Sequence, residues 1–144
     1  NQNNANNLAS VAQVDSNTVS AVINQNGSDT ATVSQIASSF STATIDQTAD
    51  FNSAAVNQNA ALYSTAMITQ SGGRLYNGTV NQSGEYNDAT ILQNGSSLTA
   101  TINQAGVGTS ALHNVALVDQ ANSGHVATVS QSGGAGNYAK VVQR

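Results

Sequence analysis

The chain has no cysteine, no proline and no tryptophan among its 144 residues, and only 7% of them are charged. Without cysteine there is neither a disulfide framework nor a thiolate able to bind metal or attack a substrate. Three basic residues (Arg74, Lys140, Arg144) against seven acidic ones give a net charge of −4. So few cations cannot neutralise a run of phosphates, which argues against nucleic-acid binding by charge. No apolar run approaches the ~18 residues of a membrane span, so none is expected. No signal-peptide pattern opens the chain, and if the protein is exported this is expected to be its mature form.

Large apolar side chains are also scarce: two Phe, four Tyr and one Met. Much of the hydrophobic content is alanine, and a conventional globular core would be thin. Asn, Gln, Ser, Thr and Gly dominate, a composition that by itself suggests a disordered, aggregation-prone segment. The order of the residues argues otherwise.

Apart from Gln2, every glutamine ends the same frame, Ala/Gly-x-Val/Ile-x-Gln. The twelve are Gln13, Gln25, Gln35, Gln47, Gln58, Gln70, Gln82, Gln93, Gln104, Gln120, Gln131 and Gln143. Alternation at period two is the strand signature, so Ala, Val/Ile and Gln share one face of a strand. The intervening residues, mostly Thr, Ser, Asn and Asp, suit solvent. In several copies the inward row reaches back to an Asn six places before the Gln, as at Asn52, Asn87, Asn114 and Asn137. Between rows lie short Gly/Asn/Ser/Asp stretches that supply turns.

The apolar centre of each row is Val11, Val33, Val56, Val80, Ile102 and Val129 in one set, and Ile23, Ile45, Ile68, Ile91, Val118 and Val141 in the other. A preference for Val in one set and Ile in the other implies two stacks and a coil of two strands. The predicted fold is therefore all-β, a two-strand-per-coil β-solenoid of amyloid-like cross-β type. Residues 1–6 form a polar N-terminal segment, and 7–144 make six coils, about 7–25, 29–47, 52–70, 76–93, 98–120 and 125–143. A unit this small cannot bury its own face, but stacked copies bury one another's. The longer interval between Gln104 and Gln120 is read as an extended turn.

A buried amide needs partners, and stacking places each glutamine over the equivalent one a coil away. Its NH2 can then donate to the next carbonyl, forming a ladder that also fixes register. The Asn at 52, 87, 114 and 137 are expected to do the same at the other end of the row. The first and last strands keep the repeat pattern, so both ends are open edges. A joint between the last coil of one copy and the first of another never closes, and predicts a fibre.

Other chemistry has little to stand on. His113 and His125 lack ligand spacing, so no metal site is expected. No carboxylate pair is placed by sequence for acid–base work, and no G-x-S-x-G occurs. No cofactor or enzymatic activity is expected. Phe40, Phe51, Tyr63, Tyr76, Tyr86 and Tyr138 fall in or near turns, where they could stack along the fibre or cover turn backbone. A Thr-rich ice-binding solenoid is a second class to weigh. Outward Thr occurs three places before the glutamine at 32, 44, 79, 90, 101 and 128, but never with Thr just before the glutamine of the same strand, where Ser, Asp, Asn or Leu stands, and that counts against ice binding.

Gln82-x-Gly84-x-x-Asn87-x-Ala89-x-x-x-Gln93 matches in full the curlin repeat, Q-x-G-x-x-N-x-A-x-x-x-Q. Gln47 to Gln58 matches with Ala49 for the Gly, and Gln131 to Gln143 with one extra residue. Over residues 7–143 the chain resembles the curli subunits, secreted bacterial proteins that form functional amyloid in the biofilm matrix. The resemblance implies polymerisation on the cell surface, with the chain itself as main partner. It also implies a nucleator subunit and an outer-membrane secretion machinery as partners. The acidic balance and well-kept repeats favour the major subunit, while the basic ending KVVQR resembles the minor, nucleating one.

Overall fold

The structure, a computed structural model, describes residues 1–3 and 6–144. Strands follow one another in the order β1 (Gln2–Asn3), β2 (Leu8–Val14), β3 (Ser20–Asn26), β4 (Thr30–Ile36), β5 (Thr42–Gln47), β6 (Ser53–Leu62) and β7 (Thr65–Arg74). They continue as β8 (Asn77–Glu85), β9 (Asn87–Ser96), β10 (Thr99–Gly106), β11 (Asn114–Ser123), β12 (Val126–Gly133) and β13 (Tyr138–Gln143). Odd strands β1 to β13 stack into one parallel sheet and even strands β2 to β12 into another. Each coil contributes one strand to each sheet, so the two-strand-per-coil β-solenoid of about six coils is the observed fold.

Register follows the repeat. Glutamine pairs with glutamine at every step, from Gln25↔Gln47 to Gln120↔Gln143 in the odd sheet. The even sheet runs likewise from Gln13↔Gln35 to Gln104↔Gln131. Within each strand Ala and Val/Ile point between the sheets. Ala31, Val33, Ala43, Ile45, Val56, Ala66, Ile68, Val80, Ile91, Ala100 and Ile102 are sealed from solvent. Gly78 takes the alanine place in β8, where an added Cβ would crowd Ile68 and Gln70. Burying each Val or Ile is worth about 1.5–3 kcal/mol, and the stack repeats that gain with every coil.

Two departures from the sequence expectation concern the core. Val11 is 50% exposed, although it occupies the place of the sealed Val33. The reason is positional: below β3 the odd sheet holds only the two-residue β1, which is too short to cover β2. The second departure is Tyr76, read as a turn residue but only 2% exposed. It stands six places before Gln82 and points inward, its hydroxyl donating to Ser71 O at 2.7 Å and lying 2.6 Å from Gly95 O. Leu98, the equivalent residue one coil on, is likewise sealed.

Corners are made by left-handed residues. The residue seven places before the glutamine has φ of 53° at Thr18, 51° at Phe40, 50° at Tyr63 and 52° at Tyr86. On the opposite edge Phe51, Leu75 and Ser97 do the same at 60°, 63° and 55°. Such backbone costs a non-glycine residue about 1–2 kcal/mol, so something must offset it. On one edge ring stacking does: Phe40 on Tyr63 and Tyr63 on Tyr86 have centroids 5.0 Å apart and nearly parallel planes. His113 continues the column, tilted, 5.4 Å from Tyr86, and its Nδ1 lies 2.7 Å from Asp88 Oδ2. Gly84, the glycine of the repeat motif, has φ 89°, and a Cβ there would run into the Gly106 carbonyl oxygen one coil away.

Asp29 is the least expected buried residue, at 1% exposure. Its Oδ1 accepts the Asn52 N–H at 3.0 Å, while its Oδ2 has no partner among the described residues. Asp29 Oδ2, Asp50 Oδ1 and Ala49 O all lie within 2.9 Å of the point where a Cβ on Gly27 would sit. Burial, and then the neighbouring Asp50 charge, push the Asp29 carboxyl above its ordinary value, against the opposing pull of the Asn52 N–H. A raised carboxyl pKa means the folded state holds the proton more tightly than the unfolded one. The associated penalty is absent below about pH 4 and grows as pH rises through the folded value. Asp29→Asn keeps the acceptor for Asn52 and replaces the orphaned oxygen with a donor. It is expected to stabilise the fold at pH 7 by about 1–3 kcal/mol, read by chemical denaturation, with the advantage shrinking as pH falls toward 4.

Candidate functional site: amide ladders and open ends

The glutamines form two continuous ladders along the stack. In the odd sheet Nε2 donates to the next Oε1 from Gln25 to Gln47 at 3.1 Å, Gln47 to Gln70 at 2.8 Å and Gln70 to Gln93 at 2.9 Å. The series goes on from Gln93 to Gln120 at 3.0 Å and Gln120 to Gln143 at 2.8 Å. In the even sheet the steps are Gln13 to Gln35 at 2.8 Å, Gln35 to Gln58 at 2.8 Å, and Gln58 to Gln82 at 2.9 Å. Gln82 then donates to Gln104 at 3.0 Å and Gln104 to Gln131 at 2.8 Å. Every donor points toward the C-terminal end.

A second set of bonds explains why the residue is glutamine and not merely polar. From Gln25 onward, each ladder amide also donates across the coil to a backbone carbonyl of the other sheet. Gln47 donates to Thr30 O at 3.2 Å, Gln70 to Ser53 O at 3.1 Å and Gln120 to Thr99 O at 3.0 Å. Gln82 reaches both Thr65 O and Asn87 O at 2.8 Å. Glutamine is thus a strut between sheets as well as a rung between coils. Its two donors are both spent, as burial demands.

The far end of the inward row is more varied than the sequence expectation. Asn114 Nδ2 donates to Asn87 Oδ1 at 3.1 Å, so those two do form an amide rung. Asn137 instead offers its backbone N–H to Asn114 Oδ1 at 3.1 Å, and its own amide turns to Gly134 O. Asn52 lies in the other sheet, where its Oδ1 accepts the Tyr76 N–H at 3.2 Å and its amide donates to Ala49 O at 2.7 Å. These asparagines therefore tie side chain to backbone between coils more than amide to amide. Ser41 and Ser64 play the same part where Asn is absent, their hydroxyls lying 3.3 Å and 3.2 Å from the N–H of Ser64 and Asn87.

Two features escaped the sequence reading. Gln2 lies outside the repeat frame, yet its Nε2 donates to Gln25 Oε1 at 3.0 Å. On the outer face Asn57 donates to Asn81 at 2.9 Å and Asn81 to Asn103 at 2.8 Å, making a short exposed ladder. The signal for the second was present, since each of the three precedes a glutamine of the even sheet.

At the C-terminal end Gln131 and Gln143 have no further glutamine to donate to. As donors they keep only their bonds to Val115 O at 2.9 Å and Val126 O at 3.2 Å. At the other end Gln13 has no glutamine before it in its column. Arg144 does not stand guard at its edge; it folds back on Asp119 of β11 with contacts of 2.9 and 2.6 Å. That guanidinium holds the Asp119 carboxyl below its ordinary value.

The family model for the curlin associated repeat matches residues 41–73 and 77–106. Over these residues the middle of the chain is similar to the curlin associated repeat. The two matches span β5 to β10, in which the inward rows are buried. No curated protein and no solved structure matches the chain. Strands outside the matched curlin repeats keep the same glutamine-on-glutamine register.

The geometry separates inner from outer amides. Gln82→Ala orphans the Gln58 donor, the Gln104 acceptor and two backbone carbonyls, each worth about 1–3 kcal/mol when buried. Asn81→Ala opens two bonds that water can replace. Denaturant unfolding is expected to show a loss of about 3 kcal/mol or more for Gln82→Ala and under about 1 kcal/mol for Asn81→Ala. Equal losses would mean that the inner amides are not the structural element.

Proposed function

We propose that this protein is a curli-type structural subunit, secreted and assembled end to end into extracellular amyloid fibres that serve adhesion in a biofilm matrix. One observation carries the reading. Both ends of the solenoid present parallel edge strands in the register of the interior, and among the described residues Gln13 at one end and Gln131 and Gln143 at the other have no glutamine beyond them in their columns. Unpaired edges template further strands. A last coil on a first coil would repeat the interior contact, a head-to-tail joint that extends without closing. The curlin repeats support the same assignment, and with it the resemblance to subunits handled by a secretion machinery and seeded by a nucleator. The major, fibre-building role is the one favoured here, because the basic Arg144 is engaged within its own chain.

Purified protein at neutral pH is expected to develop thioflavin-T fluorescence and unbranched filaments by electron microscopy. Filaments should give cross-β diffraction near 4.8 Å along the axis. A chain that stays monomeric for days under these conditions would overturn the proposal.

A further inference from the structure

Six places before the glutamine, an asparagine gives its two amide atoms separate tasks. Asn52 Oδ1 accepts the N–H of Tyr76 one coil on at 3.2 Å, and its Nδ2 donates to Ala49 O of its own turn at 2.7 Å. Asn137 Nδ2 likewise donates to Gly134 O at 2.7 Å, and Asn87 Nδ2 to Ser83 O at 2.9 Å and Gly106 O at 3.1 Å. In each case the atom facing the turn is a donor among carbonyls. Asp29 stands at the same place one coil before Asn52, and its Oδ1 keeps the first task by accepting the Asn52 N–H at 3.0 Å. The second task falls to Oδ2, an acceptor where a donor belongs.

Asp29 is 1% exposed, and its Oδ2 has no partner among the described residues. It points into a space that Gly27 leaves open. A Cβ on Gly27 would meet Ala49 O at 2.6 Å, Asp50 Oδ1 at 2.7 Å and Asp29 Oδ2 at 2.9 Å. Three oxygens from two successive turns, two of them carboxylate, converge on one small volume. Arg74 lies opposite Asp50 one coil on, but forms no ion pair with either carboxylate among the described residues. Burial, and then the Asp50 charge, disfavour the ionised Asp29. A bound cation removes that cost.

We propose that Asp29, Asp50 and the Ala49 carbonyl form a binding site for a divalent cation of calcium's size, which staples the turn after β3 to the turn after β5. The donors are all hard oxygens, which select calcium or magnesium over metals that prefer nitrogen or sulfur. Calcium takes about six to eight oxygens at roughly 2.3–2.6 Å in loose geometry, whereas magnesium demands a near-ideal octahedron at about 2.0–2.1 Å. Oxygens spread 2.6–2.9 Å around one point suit the larger ion. Asp50 is exposed, so the ion can enter from solvent and water can complete its coordination. No three carboxylate or imidazole side chains gather among the described residues, and the third protein ligand here is main chain. A proton on Asp29 serves one pair of these oxygens; a dication serves all three and cancels both charges. An open site with two carboxylates is expected to bind with a Kd of about 10⁻⁴–10⁻³ M.

The test uses the full chain, freshly purified as monomer, with CaCl2 as the probe and NaCl holding ionic strength constant. Equilibrium dialysis at neutral pH is expected to give about one calcium per chain, and about 10 mM calcium should raise the unfolding temperature by about 3–6 °C over a chelator control. MgCl2 at the same concentration should raise it by less than half as much. Asp29→Asn and Asp50→Asn should lose the response, whereas Asp15→Asn, in the turn between β2 and β3 on the opposite edge, should keep it. Asp29→Asn retains the acceptor for Asn52, so its silence cannot come from a lost fold. Equal shifts in all four proteins, or equal shifts with calcium and magnesium, would overturn the site. So would a parent that does not respond to calcium, in which case the space holds only a proton.

Discussion

A glutamine side chain carries two N–H donors and a carbonyl with two lone pairs, and each group left unmet on burial costs about 1–3 kcal/mol. This solenoid buries ten of them with under a tenth of their surface exposed, from Gln25 to Gln131, and leaves their amides paired. Only an arrangement that sets each amide over another, with a carbonyl of the opposite sheet beside it, can do so. Parallel in-register strands provide the first partner, and the narrow gap between two sheets provides the second. The alanine and valine or isoleucine columns are small enough to keep that gap narrow. A larger core residue would push the sheets beyond the reach of the glutamine strut, which is why bulky side chains are so few and Tyr76 and Leu98 stand at the row's end.

Strand positions, register, sheet pairing and the coil count were legible in the sequence because one residue type marks each strand with period-two company. The inward phase of Ala, Val/Ile and Gln follows from local chain geometry alone. What the pattern could not convey is whatever depends on neighbours along the stack. Val11 obeys the frame as well as Val33 does, but lacks a full strand opposite, and burial is a property of the pair. Gln2 lies outside the frame, so its place on the ladder comes from the pairing of β1 with β3 rather than from the repeat pattern. At six places before the glutamine, Asn, Ser, Asp, Tyr, Leu and His all occur. The shared task there is to face a backbone N–H or fill a corner, and residue identity does not announce which. The double role of each glutamine depended on which carbonyls lie across the coil, a fact of three dimensions.

The corners show how a fold with little apolar surface tolerates local cost. Left-handed backbone at Phe40, Tyr63 and Tyr86 is unfavourable one residue at a time, yet the three fall in one column and their rings stack at 5.0 Å. An edge-to-face pair gains about as much as a stacked one, roughly 0.5–1.5 kcal/mol, but only parallel rings keep the spacing of the strands they hang from. The same column then ends in His113, whose ring lies over Tyr86 and pairs with Asp88 of the coil below. The insertion before Asn114 is thus accommodated where the aromatic column ends, and the strands on either side remain in register. Length variation goes to the corners because the ladders cannot absorb it.

Direction is the last consequence of the amide chemistry. All the ladder donors face the C-terminal end, so that end offers N–H groups and the opposite end offers carbonyls. Two like ends brought together would set donor against donor or acceptor against acceptor. A two-fold joint would also run the strands antiparallel, bringing each glutamine against the start of its partner strand, where Asn7, Val19, His125 or Asn137 stands. Only the joint of unlike ends repeats what the interior already does. The stability of a stack of this kind is a sum of coil and nearest-neighbour terms, and such a joint adds one more term of the interior kind. Nothing in the coil itself distinguishes a coil-to-coil contact within the chain from the joint that the proposed end-to-end assembly would make.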